Sequence, residues 1–161
     1  MGFLNFIFRG KKPLALENEP EFPPELLRQR LPLGPNCERL ACWYLESKGM
    51  KCLGKNVRSR VKKMWGPVSG ELDLVMEIPD PSRTLVFVEV RSRARNWDEF
   101  GLPSQSIGYR KQQRVCHAAR GWLLENQIPV NRPVRFDVVS IIWEENQRPK
   151  LWHAPNAFTW S

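Results

Sequence analysis

The sequence predicts a mixed α/β (α+β) domain, with a central β-sheet flanked by helices, and three observations carry that reading. Two strand-like runs, Gly70 to Glu77 and Leu85 to Arg91, alternate their side chains on either side of a turn centred on Pro81. Two longer stretches, after Asn36 and after Ser104, repeat apolar residues at helical spacing. Further strand-like segments precede the hairpin and follow the second helix, so the order is helix, three strands, helix, strand and a short last strand.

Residues 1–33 carry Pro13, Pro20, Pro23, Pro24 and Pro32 among charged residues without sustained periodicity. That composition predicts an extended, disordered arm ahead of a domain at 34–161. The apolar start, Met1 to Phe8, is too short to span a bilayer, and its basic residues follow it, unlike those of a secretory signal. A cytoplasmic protein with no membrane association is expected, the arm being a candidate docking element for a protein partner.

In the first helix Asn36 is the expected N-cap, Leu40, Ala41, Tyr44 and Leu45 form the buried stripe, and Gly49 marks the end. Glu38 falls in the first turn of that reading, where a carboxylate complements the helix dipole. Lys51 to Val57 reads as a strand. A loop from Ser92 to Pro103 leads from the hairpin to a helix over Ser104 to Asn126, whose apolar positions are Ile107, Val115, Ala118, Ala119, Trp122 and Leu123. Pro133 precedes a strand from Val134 to Trp143, and Lys150 to His153 is the short last one.

The chain has 161 residues and a formal charge of +8, enough for one domain with a core of ordinary size and a polyanionic partner. Nucleic acid fits that partner best, with phosphate contacts expected from Arg58, Arg60, Lys62, Lys63, Arg93 and Arg95, and stacking on Trp65 or Trp97. A solvated charge run is the bland alternative. Cys37, Cys42, Cys52 and Cys116 lack the paired short spacing of a zinc ribbon, so free thiols are expected. His117 and His153 have no catalytic neighbours in the sequence, and packing or surface roles are expected for both.

The hairpin carries the chemistry. Its expected register sets Asp73 opposite Glu89 and Glu71 opposite Arg91. Like charges directly opposite each other destabilise a sheet unless a cation is shared between them, and Mg²⁺ or Mn²⁺ would serve. The same alternation also fits an ordinary half-exposed hairpin, with Glu71 and Arg91 a surface pair worth under ~1 kcal/mol.

Glu38, Gly70-Glu71-Leu72-Asp73-Leu74-Val75, Phe87-Val88-Glu89-Val90-Arg91-Ser92-Arg93, Phe100-Gly101, Lys111, Arg135 to Val139 and Asn156-Ala157-Phe158 together resemble the YraN-type family of small predicted endonucleases. That family belongs to the restriction-endonuclease-like, PD-(D/E)xK superfamily and is distantly similar to archaeal Holliday junction resolvases. The resemblance runs from Gly34 to Phe158 and implies a Mg²⁺-dependent nuclease acting on DNA, with branched or recombination intermediates among its substrates. It implies that Glu38 is the helix-borne acid, Asp73 the metal-binding aspartate, Glu89 the acid of the E-x-K motif and the Val90 carbonyl a further ligand. Arg91 stands where the motif has Lys. Arginine stays protonated and contributes only charge and hydrogen bonds. Lys111 matches a lysine of the family's helix and can supply the missing amine, or can belong to a solvated basic face. Two other functions fit this reading, a nucleic-acid-binding module without efficient chemistry and a protein-interaction adaptor using the arm. Asp137 is expected to be structural.

Overall fold

The computed structural model describes residues 20–28, 32–58, 70–94 and 107–160. Among them are helices α1 (Pro24–Leu27), α2 (Leu33–Ser47) and α3 (Tyr109–Glu125), and strands β1 (Lys51–Arg58), β2 (Glu71–Glu77), β3 (Leu85–Arg93), β4 (Val134–Ile142) and β5 (Lys150–Phe158). The strands form a mixed sheet in the order β1-β2-β3-β4-β5, antiparallel throughout except for the parallel pair β3–β4. A parallel pair needs a crossover, and α3 lies within it.

Helices cover both faces. Leu40, Ala41 and Leu45 of α2 pack on Leu74, Met76, Val86, Val88, Val139 and Ile141, while Val115, Ala119 and Trp122 of α3 pack on Val75, Leu85, Phe87, Phe136 and Val138. Since successive side chains alternate faces, Leu85 and Phe87 assign Glu89 to the face that α3 covers. Burial on both faces is why the hairpin is almost continuously apolar, and why its carboxylates stand out.

The hairpin register is as expected, with Leu74 opposite Val88 and Val75 opposite Phe87. Beyond Leu74 the backbone ladder gives way to a side chain, because the Val90 N–H donates to Asp73 Oδ2 at 2.7 Å.

Three expectations need correction. Helix α2 begins at Leu33, with Pro32 in place of Asn36 at its N-cap, and the Asn36 N–H closes its first turn on the Pro32 carbonyl at 3.2 Å. Pro35 is tolerated there because first-turn amides have no partner within the helix. Glu38 therefore lies beyond the first turn. The segment before residue 34 is not extended throughout, for α1 forms after Pro23 and Phe22 is buried against the α2 core, 5.4 Å from the Trp43 ring. Strand β5 continues past His153 to Phe158, accommodating Pro155 beside a register shift between Phe136 and Val138 and a left-handed Asn156 at φ 52°. Residues 1–19, with the apolar start of the arm, lie outside the described residues.

Candidate active site

Three elements bring acidic side chains together. Glu38 comes from α2, Asp73 from β2 and Glu89 from β3, and Asp73 feels the charge of Glu89 while Glu38 feels that of Asp73. Glu89 is 3% exposed, an environment that disfavours a lone carboxylate. Its compensation arrives from α3, where Lys111 Nζ lies 2.9 Å from Glu89 Oε1. Arg91 reaches the same oxygen only at 3.8 Å. The other oxygen, Glu89 Oε2, is buried without a hydrogen-bond partner among the described residues.

Burial pushes the Asp73 carboxyl up to about 6, and the negative charge of Glu89 pushes in the same direction. The Val90 N–H and Lys111 oppose that rise. Glu38 is also raised, by partial burial and by Asp73 and Glu71, although the Asn56 amide donates to Glu38 Oε2 at 2.9 Å and counteracts it. Crowded, partly dehydrated carboxylates of this kind lower their free energy by sharing a hard cation. The donor set is right for one: Asp73 and Glu89 offer oxygen atoms, and the unpartnered Glu89 Oε2 fits such a ligand.

Glycine at position 70 makes the assembly possible. A Cβ there would fall 2.4 Å from the Arg114 carbonyl oxygen and 2.9 Å from the Ala118 Cβ, so α3 lies directly on the strand that carries Asp73. The Gly70-Glu71-Leu72-Asp73 run contains the signal, an invitation to close backbone approach at the edge of a strand. Asn56 is the other residue the sequence did not single out. Its left-handed conformation, φ 49°, and its bond to Glu38 leave no local signature beyond the tolerance of Asn for that region.

Other assignments fare differently. Glu71 pairs with Arg58 across β1–β2 at 3.1 Å instead of with Arg91, which engages Glu89. That contact occupies one of the expected phosphate-binding cations. Arg93 ends β3, whereas Arg60, Lys62, Lys63, Trp65, Arg95, Trp97 and Phe100-Gly101 lie outside the described residues. Asp137 is fully buried and accepts both Arg135 Nε and Nη2 at 2.8 Å, together with the Asn156 N–H at 2.9 Å. His153 does have a carboxylate neighbour, since its Nε2 lies 2.8 Å from Asp137 Oδ2. The network ties β5 to β4 away from the acidic cluster, on the face covered by α2, and Tyr44 meets the His153 ring edge-on.

The profile of the Uncharacterised protein family UPF0102 matches residues 37–141, from α2 through nearly all of β4. The chain belongs to this family, the YraN-type family. A UPF0102 protein of Pseudomonas aeruginosa is 42% identical over 127 residues, covering 78% of this chain and 90% of the relative. One from Verminephrobacter eiseniae is 37% identical over 152 residues, 94% of each chain, and one from Clostridioides difficile is 33% identical over 121 residues, 75% of this chain and 91% of the relative. The UPF0102 match spans every acidic residue of the cluster and Lys111. No helix among the described residues is long and apolar enough to cross a membrane.

Proposed function

We propose that the protein is a divalent-metal-dependent nuclease that hydrolyses phosphodiester bonds in DNA, branched or recombination intermediates among them. The observation that supports this reading most is the buried pairing of Glu89 with Lys111, beside Asp73 and with one Glu89 oxygen unpartnered. Asp73 and Glu89 would hold Mg²⁺ or Mn²⁺, with the Val90 carbonyl as a further ligand. Such an ion polarises a phosphoryl oxygen and lowers the pKa of an attacking water.

The side chains divide the remaining work. Lys111 holds Glu89 in place and presents an amine, a group able to give up and regain a proton, next to the scissile phosphate. Arg91 supplies a fixed positive charge to the phosphate as negative charge builds there. Glu38, tethered by Asn56, adds a third carboxylate, one that feels the charge of Asp73. The formal charge of +8 supports a phosphate-rich substrate.

Incubation of the protein with linear and four-way duplex DNA, with Mg²⁺ or with chelator, tests the reading. Metal-stimulated cleavage lost in Asp73→Asn and Glu89→Gln is expected, with DNA binding retained. Arg91 in the lysine position favours a second reading, a DNA-binding module without hydrolysis, and that reading is the outcome if DNA is bound but never cut under any metal condition.

A further inference from the structure

Away from the acidic cluster, the end of α2 and the start of β1 bring together two thiols and a carboxylate. Cys42 and Glu46 are one helical turn apart and share a face of α2, and Cys52 is the second residue of β1. Their Sγ and carboxylate atoms all lie within 4.8 Å of one another. In a tetrahedral site with metal–sulfur bonds of ~2.3 Å, neighbouring ligand atoms stand about 3.8 Å apart, so small side-chain rotations bring the three groups onto one ion. No spacing rule finds this group, because the ligands belong to a helix and the strand that follows it.

A bulge supplies the fourth participant. Cys52 pairs with Met76 but Gly54 pairs with Val75, so Leu53 is an extra residue that shifts the alternation of β1. Cys52 and Lys55 consequently share the face covered by α2, and Lys55 hydrogen-bonds Cys42. Burial and the neighbouring Cys52 push the Cys42 thiol well above its ordinary range, and Lys55 opposes that rise, so an ion that binds here has to displace the thiol protons. Cys42 is buried, Cys52 half-buried and Glu46 exposed, so the three groups run from the interior to the surface.

We propose that Cys42, Glu46 and Cys52 form a binding site for a thiophilic divalent cation of the zinc class, with Lys55 donating to the Cys42 sulfur. One cation enters, two thiol protons leave, and water completes the tetrahedron. Thiolate donors separate this site from the oxygen-only Asp73–Glu89 cluster, which suits a hard ion. The site fastens α2 to β1, the two elements that carry Glu38 and Asn56.

Titration of the fully reduced, metal-free, full-length protein with Co²⁺ tests the site. One equivalent is expected to bind, producing thiolate-to-cobalt charge-transfer absorption in the near ultraviolet and raising the melting temperature. Cys52→Ser should remove most of that absorption, and the surface change Glu46→Gln, which leaves packing intact, should weaken binding at least about tenfold. Asp73→Asn should keep the absorption, so a failed nuclease assay and a failed cobalt titration are separate results. A reduced protein that gives no charge-transfer band, or a band unchanged in both Cys52→Ser and Glu46→Gln, overturns the proposal.

Discussion

Lys111 Nζ approaches Glu89 Oε1 to 2.9 Å, whereas Arg91, two residues along the strand from Glu89, stays 3.8 Å from the same oxygen. The amine nearest the buried carboxylate thus comes from a helix and not from the motif strand. Arg91→Lys should accordingly change single-turnover cleavage little. Lys111→Arg keeps the charge but replaces the amine with a group that stays protonated, and should lower the rate by ~10²-fold or more while sparing the melting temperature. If Lys111→Arg cuts at the wild-type rate and Arg91→Lys accelerates cleavage, the amine role belongs to position 91.

Gly70→Ala should loosen α3 from the sheet. A Cβ at 2.4 Å from a backbone oxygen cannot be absorbed by a side-chain rotation, so destabilisation of about 1–3 kcal/mol is expected in urea titrations. Cleavage should fall with it, since the displaced helix carries Lys111. A variant as stable and active as the parent would show that β2 and α3 have room to spare.

Asp73 makes stability depend on pH in a defined direction. Its carboxyl is held near 6 in the folded chain against an ordinary value of 3.8, so the folded state binds more protons between these limits. In chelator, stability should therefore fall as pH rises from about 4 to about 6, then level off. Asp73→Asn, which can still accept from the Val90 N–H, should remove this slope and be more stable than the parent above pH 6, by roughly 3 kcal/mol. Equal slopes in the two proteins would contradict the assignment.

Phe22 provides a test of where the folded unit begins. Its ring packs against Trp43 at the margin of the α2 core, and Phe22→Ala should cost up to about 3 kcal/mol, the low end for a buried phenylalanine. Removal of residues 1–33, which takes Phe22 and α1 with it, should be destabilising by a similar amount.

DNA affinity should fall steeply with salt. If six or more phosphates are neutralised, binding weakens by roughly 10³-fold or more between 50 and 200 mM salt. A flat response in fluorescence anisotropy would remove the electrostatic basis of the proposed substrate.

The hairpin was legible because its register depends on local alternation and one turn, and the carboxylates interrupt runs that are otherwise apolar. Helix α3 was legible along its periodic stripe of Val115, Ala118, Ala119 and Trp122, although it begins at Tyr109 and leaves Ile107, expected within it, outside. The start of α2 was not, because Pro35 and Asn36 imitate a helix boundary when they in fact lie inside the helix. Strand β5 runs beyond His153 although Pro155 ordinarily ends a strand, because its place at the sheet edge beside a register shift permits the proline. The Lys111–Glu89 pair was visible only as two candidates. Their contact depends on how α3 settles over the sheet, which no local pattern encodes.

The parallel pairing of β3 with β4 gives the site a history. The acidic hairpin closes through contacts between residues near in sequence, but Lys111 reaches Glu89 only when α3, which lies in the crossover between β3 and β4, docks on the sheet face, and β3 and β4 are the described strand pair most widely separated in sequence. Long-range pairings of this kind form late, after their loop-closure entropy has been offset. A nascent chain would thus display the hairpin carboxylates well before the amine that pairs with Glu89, and that buried ion pair would be complete only in a protein that has finished folding.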